Sequence, residues 1–441
     1  MNYKMMGRLI AQILLAEAAF MVPALIISLA GQDSQAILGF ALSILVILAV
    51  AGVLMFFARK AKKGFYAREG MVCVGLAWIV MSLLGCLPFW ISREIPSYLD
   101  GLFEIVSGFT TTGASILSNV EGLSNGMLYW RSFSHWVGGM GVLVFLLAVV
   151  PVSGRKDGFT MHLLRAESPG PNVAKLVPRI RSTAGILYIL YIVLTVLDFL
   201  FLILGTSFAT LGPGLSARSR CIVKPSFRPL TGTTASKNDS MASYSPYIQN
   251  VCTVFMLLFG VNFSCYYLLI MKQVKSVYKD EELRLYVGMV LGSVLLIVIN
   301  LRGFYGTLEE TIRHAFFQVA SIVTTTGFAT TDFDLWPGFS KSILLCLMVV
   351  GACAGSTGGG FKCGRLLLVF KSLRRNIQKM LRPQRIQAVR SNKQVVSEKV
   401  LENTNAYLAA YVLIIMFSLL VISIDGFSVG TNFSAVLACF S

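Results

Sequence analysis

Two short stretches of this chain have the residue types needed to take water from a small cation and hold it. They read Thr110-Thr111-Thr112-Gly113 and Thr324-Thr325-Thr326-Gly327. Threonine offers a backbone carbonyl and a hydroxyl, neutral oxygens that can replace a hydration shell. Glycine takes the positive φ that turns successive carbonyls toward one axis. Threonine and glycine also end many ordinary helices, so one copy alone would be a weak signal. Here the surroundings repeat as well. With a constant offset of 214 positions, Phe103 falls on Phe317 and Ser107 on Ser321. Each copy closes a short apolar segment between two long ones. The expected element is a half-membrane helix that points its partly negative C-terminal end at the cation.

A third stretch runs Gly351-Ala352-Cys353-Ala354-Gly355-Ser356-Thr357-Gly358-Gly359-Gly360-Phe361-Lys362. Glycines this dense do not hold a helix. A phosphate-binding loop is the competing reading, but Phe361 separates Gly360 from Lys362, and Cys363 stands where Ser or Thr is needed. Irregular backbone at membrane depth is tolerated only against protein or a water-filled cavity, so this loop is expected beneath a pore. The three histidines (His135, His162, His314) are scattered, which argues against a metal centre. A polytopic membrane enzyme would need a His/Asp/Glu cluster at the membrane face, and none is evident. No covalent cofactor is expected. None of the nine cysteines forms a CxxC pair, and most lie in apolar runs, so they read as small buried hydrophobes.

These stretches sit in a chain of 441 residues that is 55% hydrophobic and 13% charged. Several uncharged runs exceed the ~18 residues that mark a membrane span. Spans are expected near 9–30, 37–58, 70–92, 128–152, 183–205, 248–271, 285–303, 339–370 (interrupted) and 403–425. The net charge of +17 invites a nucleic-acid reading, but its distribution excludes one. With the N-terminus in the cytoplasm, most lysines and arginines fall on inside segments: 1–8, 59–68, 153–182, 272–284 and 362–402. The charge therefore sets topology, with some attraction to anionic inner-leaflet lipids. The first apolar run is too long for a cleaved signal core.

Span, short apolar segment and span then recur. The first unit runs from about 70 to 152 with its pore segment at 98–113, and another from about 285 to 370. The second pore helix opens with Thr307-Leu308-Glu309-Glu310, a capping-box pattern whose two carboxylates would face outside and attract cations. Between these units, 206–247 is anomalous: it carries Arg218, Arg220, Lys224, Arg228 and Lys237 and shows no apolar stripe. A flexible outer loop and a damaged pore segment both fit it. Glu17, inside the first span, is either functional or satisfied at a helix interface. The basic stretch 371–399 is a solvated inside loop or a surface for lipid or a partner protein. Residues 431–441 read as the start of a further pore helix.

Taken together, these motifs resemble the membrane subunit of bacterial Trk/Ktr-type potassium uptake systems. The matching residues are the two Thr-Thr-Thr-Gly stretches with Gly113-Ala114-Ser115 and Gly327-Phe328-Ala329-Thr330-Thr331-Asp332-Phe333. To these are added Arg131-Ser132-Phe133-Ser134-His135-Trp136-Val137-Gly138-Gly139-Met140-Gly141 and Ala354-Gly355-Ser356-Thr357-Gly358-Gly359-Gly360-Phe361-Lys362. The resemblance covers nearly the whole chain. It implies an all-α polytopic fold: four span–pore helix–span units around a pseudo-fourfold pore, preceded by a two-helix hairpin. The corresponding divisions are 1–63, 64–182, 183–284, 285–402 and 403–441. It implies potassium as the transported ion, with a filter lined by Thr111, Thr112, Gly113, Thr325, Thr326 and Gly327. A gating loop of Gly355, Ser356, Thr357, Gly358, Gly359 and Gly360, with Lys362, is implied below it. Also implied are the plasma (inner) membrane, a homodimer, contact with membrane lipids and a cytosolic nucleotide-binding regulatory subunit, with no nucleic acid.

Two departures stand out. The family pattern expects a second filter stretch before Lys237-Asn238-Asp239-Ser240, where Thr231-Gly232-Thr233 is only a poor echo. A fourth filter stretch and a final span are expected beyond Ser441. A filter surrounds its ion with oxygens on all sides. This chain by itself is therefore expected to give no selective potassium flux in liposomes, and a version supplied with both stretches is expected to give it.

Overall fold

The computed structural model describes residues 2–59, 67–141, 180–209, 238–382, 387–392 and 394–440. The Thr231-Gly232-Thr233 echo, and 210–236 of the anomalous connection, lie outside the described residues. So do 142–152 of one expected span and most of the inside segment 153–182. The described chain is helical apart from loops and one two-stranded hairpin. It divides into two compact units, one up to Met241 and the other from Ala242 onward. Among the described residues, six helices are long and apolar enough to cross a membrane, and a bent pair makes a seventh.

The first unit opens with α1 (Tyr3–Gly31) and α2 (Ser34–Phe57), the expected hairpin. Their buried positions are rich in small residues: Ala11, Ala18, Ala24 and Ser28 on α1, and Ala36, Gly39, Ser43 and Ala51 on α2. Lipid tails are as apolar as leucine, so helices in a bilayer associate by close packing, which small residues allow. Leucine, valine and phenylalanine side chains cover the outward faces. The third span is α3 (Ala67–Gly85) with the short α4 (Leu87–Ile91). The half-helix α5 (Tyr98–Phe109) follows, capped by Ser97, and then α6 (Asn125–Met140). Twelve residues give α5 a length of about 18 Å. That is roughly half of the ~30 Å hydrocarbon.

Trp130 of α6 is fully buried and donates from Nε1 to the Gly85 carbonyl at 2.9 Å. Its ring meets Phe109 edge-on, and Trp78 also packs on Phe109, with ring centres 6.1 Å apart. Glu17 is buried against Gly85 with no hydrogen-bond partner on either carboxylate oxygen, so of its two readings the satisfied helix interface is not formed among the described residues. The helix α7 (Ile180–Ala209) is joined to α6 through Tyr191, whose hydroxyl donates to the Trp136 carbonyl at 3.0 Å. Asn238 closes the unit. Its side-chain oxygen accepts the Val120 amide at 2.8 Å and its amide nitrogen donates to Asn119.

The second unit begins with a departure from expectation. The apolar run near 248–271 forms two helices, α8 (Pro246–Phe259) and α9 (Phe263–Ile270), bent by 89°. Asn262 sits in the break, where its side chain accepts the Ser264 amide and caps α9. After the short α10 (Val274–Tyr278) come α11 (Glu281–Asn300) and the half-helix α12 (Leu308–Val323). Thr307 caps α12, its hydroxyl accepting the Glu310 amide at 3.2 Å. The Glu310 carboxylate points to His314 instead, 3.9 Å away, so only half of the expected capping box forms. The interrupted span appears as α13 (Gly338–Val350) and α14 (Cys363–Leu381), with the glycine loop between them.

Tyr286, Val290 and Ile297 of α11 pack with Val319 and Val323 of α12 and Leu344 and Leu347 of α13. Then follow the hairpin β1 (Arg390–Ser391) and β2 (Gln394–Val395), the span α15 (Glu398–Ile422) and α16 (Val429–Phe440). Tyr411 and Ile415 of α15 bury against Val436 and Leu437 of α16. The basic stretch is partly neutralised: Lys371 pairs with Glu281, and Arg375 with Glu398 at 2.6 Å. The cysteine reading holds at Cys73, Cys86, Cys265, Cys353 and Cys363, which are buried; Cys346 and Cys439 are exposed.

Close packing in the first unit leaves no room at Gly126 of α6, where a Cβ would approach the Ala24 carbonyl of α1 to 2.9 Å. Backbone cannot swing aside as a side chain can. Gly126→Val is expected to cost about 1–3 kcal/mol. It should lower the thermal midpoint in detergent by several degrees, whereas Gly75→Ala, with open space around it, should leave the midpoint in place.

Candidate functional site

Both half-helices end in the same way, bond for bond. At α5 the Thr111 amide donates to the Gly108 carbonyl at 3.0 Å and the Thr112 amide to the Ser107 carbonyl at 3.0 Å. At α12 the Thr325 amide donates to Ile322 at 3.1 Å and the Thr326 amide to Ser321 at 2.8 Å. This is a Schellman cap, whose left-handed position is normally glycine. Here a threonine fills it twice, with φ 59° at Thr111 and 55° at Thr325. A β-branched residue there is a genuine outlier. Such strain, on the order of 1–3 kcal/mol, persists only where the surroundings enforce it.

The surroundings do enforce it. Thr110 and Thr324 each turn a hydroxyl back to the carbonyl four residues earlier, at 2.7 Å, and share a 2.8 Å bond with Thr112 and Thr326. Ser107 and Ser321 reach across from the helix to the carbonyls of Ala114 and Phe328, both at 2.6 Å. These clasps fix the segment on both sides of Gly113 and Gly327, which have φ of 77° and 80° as the sequence predicts. Among the described residues, no protein donor reaches the carbonyls of Thr111, Thr112, Gly113, Thr325, Thr326 or Gly327. Six acceptors therefore stand at the negative ends of two half-helices.

The glycine loop packs against the second of these turns. The Gly359 amide donates to the Thr325 hydroxyl at 2.7 Å. A Cβ on Gly358 would lie 3.0 Å from the Thr324 carbonyl oxygen. The loop's own ends cross at Gly351 and Gly360, where a Cβ on Gly360 would come 2.9 Å from the Gly351 Cα. Three of its backbone hydrogen bonds are made with the break between α8 and α9. Cys353 donates to the Gly260 carbonyl and Phe263 to the Gly355 carbonyl, each at 3.1 Å, and Thr357 donates to Phe259 at 3.3 Å. The Glu282 carboxylate accepts the Ala354 amide. Ser356 caps the Cys353 carbonyl at 2.6 Å, and Lys362 reaches back to the Gly358 carbonyl. Phe361 packs on Tyr407 and Tyr411 of α15, and the Arg365 guanidinium lies 4.1 Å from the Tyr407 ring centre.

The structure thus brings the loop residues together with Thr325. It leaves Glu309 exposed and only 3.1 Å from Arg313, so its charge is partly neutralised rather than free to attract a cation. Among the described residues, no three His, Cys, Asp or Glu side chains are arranged to hold a resident metal ion. Sequence reasoning missed the bend at Asn262, although an asparagine inside an apolar run was a capping signal. It also missed Thr111 and Thr325 as left-handed residues, and Glu104, Arg131 and Glu282 as anchors. These depend on tertiary partners.

A fold of membrane-spanning and half-spanning helices, with unpaired carbonyls at the ends of the half-helices, defines a multi-pass membrane protein built to handle cations. Residues 37–441 match the TrkH family, described as cation transport protein, and the chain belongs to that family. It is 32% identical to the Trk system potassium uptake protein TrkH of Salmonella typhimurium, covering 99% of this chain and 89% of that protein. The TrkH of Escherichia coli strain K12 is also 32% identical over the same shares. TrkG of that strain is 29% identical, over 96% of this chain and 85% of its own length. The crystal structure of the potassium transporter TrkH from Vibrio parahaemolyticus matches with a TM-score of 0.82 and 26% identity, covering 99% of this chain and 89% of that one. The family is one of transport proteins, not enzymes.

Thr325→Val removes the acceptor for the Gly359 amide and keeps the side-chain volume. A buried donor left unpaired costs about 1–3 kcal/mol. Amide exchange in residues 355–360 is expected to accelerate at least tenfold, measured by hydrogen–deuterium exchange. Unchanged protection would show that the loop does not depend on this contact.

Proposed function

We propose that the chain is the ion-translocating subunit of a Trk-type potassium uptake system. Dehydrated potassium passes filter segments made by Thr111, Thr112 and Gly113 and by Thr325, Thr326 and Gly327. The observation that carries this reading is the two sets of carbonyls without a protein donor, 111–113 and 325–327, behind caps made with the same hydrogen bonds. In a bilayer an orphaned carbonyl costs several kcal/mol unless water or a cation meets it. Neutral carbonyls and hydroxyls suit a weakly hydrated monovalent ion that must also leave again. The names of the relatives, potassium uptake proteins in each case, support the choice of ion.

The loop 355–360 with Lys362 is the gate in this reading, supported by its direct contact with Thr325. The inside bias of lysine and arginine supports a plasma-membrane protein with a cytoplasmic N-terminus. The family resemblance supports a homodimer, a cytosolic nucleotide-binding regulatory subunit and the span–pore helix–span division given above. Membrane lipids surround the exposed apolar faces.

The test is growth at low potassium in a bacterium stripped of its own uptake systems. The chain is compared with a chimera supplied with both stretches that the family pattern expects. The chimera is expected to restore growth. Rescue by the chain itself would mean that residues outside 110–113 and 324–327 complete its filter. In whichever version restores growth, Gly113→Ser or Gly327→Ser should bring potassium and sodium uptake closer to parity. A side chain at these φ values costs about 1–2 kcal/mol and displaces the carbonyls. Deleting residues 358–360 should raise uptake or free it from regulation. Unchanged selectivity in both serine variants would overturn the filter assignment.

A further inference from the structure

The two threonine–glycine turns share their hydrogen bonds but not the anchor behind them. Beyond Gly113 the chain continues through Ala114, Ser115 and Ile116. Glu104, on the same half-helix, grips this strand: one carboxylate oxygen accepts the Ser115 hydroxyl at 2.6 Å and the Ile116 amide at 2.7 Å. The other oxygen accepts Arg131 Nε of α6, also at 2.7 Å. Glu104 is 1% exposed and Arg131 4%. The residue at the same place in the second copy is Gln318, whose amide reaches the Thr331 carbonyl at 3.5 Å. There the strand is held instead by neutral groups: His314 to the Thr330 hydroxyl at 2.9 Å, and the Tyr305 hydroxyl to Thr331 at 3.2 Å.

We propose that the Glu104–Arg131 pair is a specificity-setting positioning element, holding the strand beyond Gly113 at the height at which its carbonyls discriminate between cations. This rests on the filter reading above. Glu104 is not itself an ion ligand. Both of its oxygens are committed to protein donors, and Arg131 cancels its charge, so it adds no net attraction for a cation. What it supplies is direction. Charge-assisted hydrogen bonds are short and stiff. In a buried network each bond also holds the next in place. Ser107 clasps the Ala114 carbonyl from the same half-helix, one turn further on. Glu104 and Ser107 together therefore tie the outgoing strand to the helix that carries the turn.

The experiment measures the ratio of potassium to sodium uptake at matched membrane abundance, in whichever version restores low-potassium growth. Glu104→Gln should lower that ratio at least threefold. Ser115→Ala keeps the ion pair and removes one bond to the strand; it should lower the ratio by a smaller factor, and it decides the question if Glu104→Gln fails to reach the membrane. A purely structural role would reduce both fluxes together and leave the ratio alone. A ratio within twofold of wild type in Ser115→Ala and in any Glu104→Gln protein that reaches the membrane overturns the inference while the filter reading stands. A wild type with no potassium preference would remove the filter reading, and this inference with it.

Discussion

Every backbone N–H and C=O at membrane depth needs a partner, because hydrocarbon supplies none. Most of this chain meets that demand by being helix. Among the described residues, four breaks in the helices meet much of it in other ways. At the ends of α5 and α12, Schellman bonds and threonine and serine hydroxyls occupy the last helical groups. At the bend between α8 and α9 and in the loop between α13 and α14, the two irregular segments pair with each other. Neither the bend nor the loop would be tolerable alone. Among the described residues, no protein donor reaches the carbonyls of 111–113 and 325–327, and the proposed function rests on them.

The same pairing explains the crowding of small residues. Backbone can bond to backbone across a loop only if no side chain stands between, and Gly351, Gly358 and Gly360 lie where a Cβ would meet main-chain atoms. Gly260, in the bend, is hemmed instead by the side chains of Tyr286 and Thr324. The loop is thus in contact at once with the threonine turn, with the bend, and through Phe361 with α15.

The repetition between the two half-helices is close but not complete. The turns at 110–113 and 324–327 share their cap, their clasp and their positive φ values. The strands beyond them are anchored by different chemistry, a buried ion pair in one and a tyrosine–histidine–threonine group in the other. A buried pair rarely adds stability over an apolar replacement, so its presence behind one turn points to geometry rather than to energy.

Much was legible in the sequence because the bilayer imposes simple rules. Apolar runs of sufficient length gave α1, α2, α7, α11 and α15, since only helices can cross hydrocarbon unaided. The repeated threonine–glycine stretch and its positive φ at Gly113 and Gly327 could be read directly, because side-chain sterics restrict that φ to few residue types. The glycine loop announced itself by composition. The 89° bend at 260–262 did not, because hydropathy is blind to direction and the run is apolar throughout. Nor did the left-handed Thr111 and Thr325, which local propensity opposes and only the enclosing hydrogen bonds enforce. Glu104 with Arg131, Glu282 with the Ala354 amide, and Gly359 with Thr325 join residues 27, 72 and 34 positions apart. No local pattern encodes such a pairing; it exists only once the helices have packed.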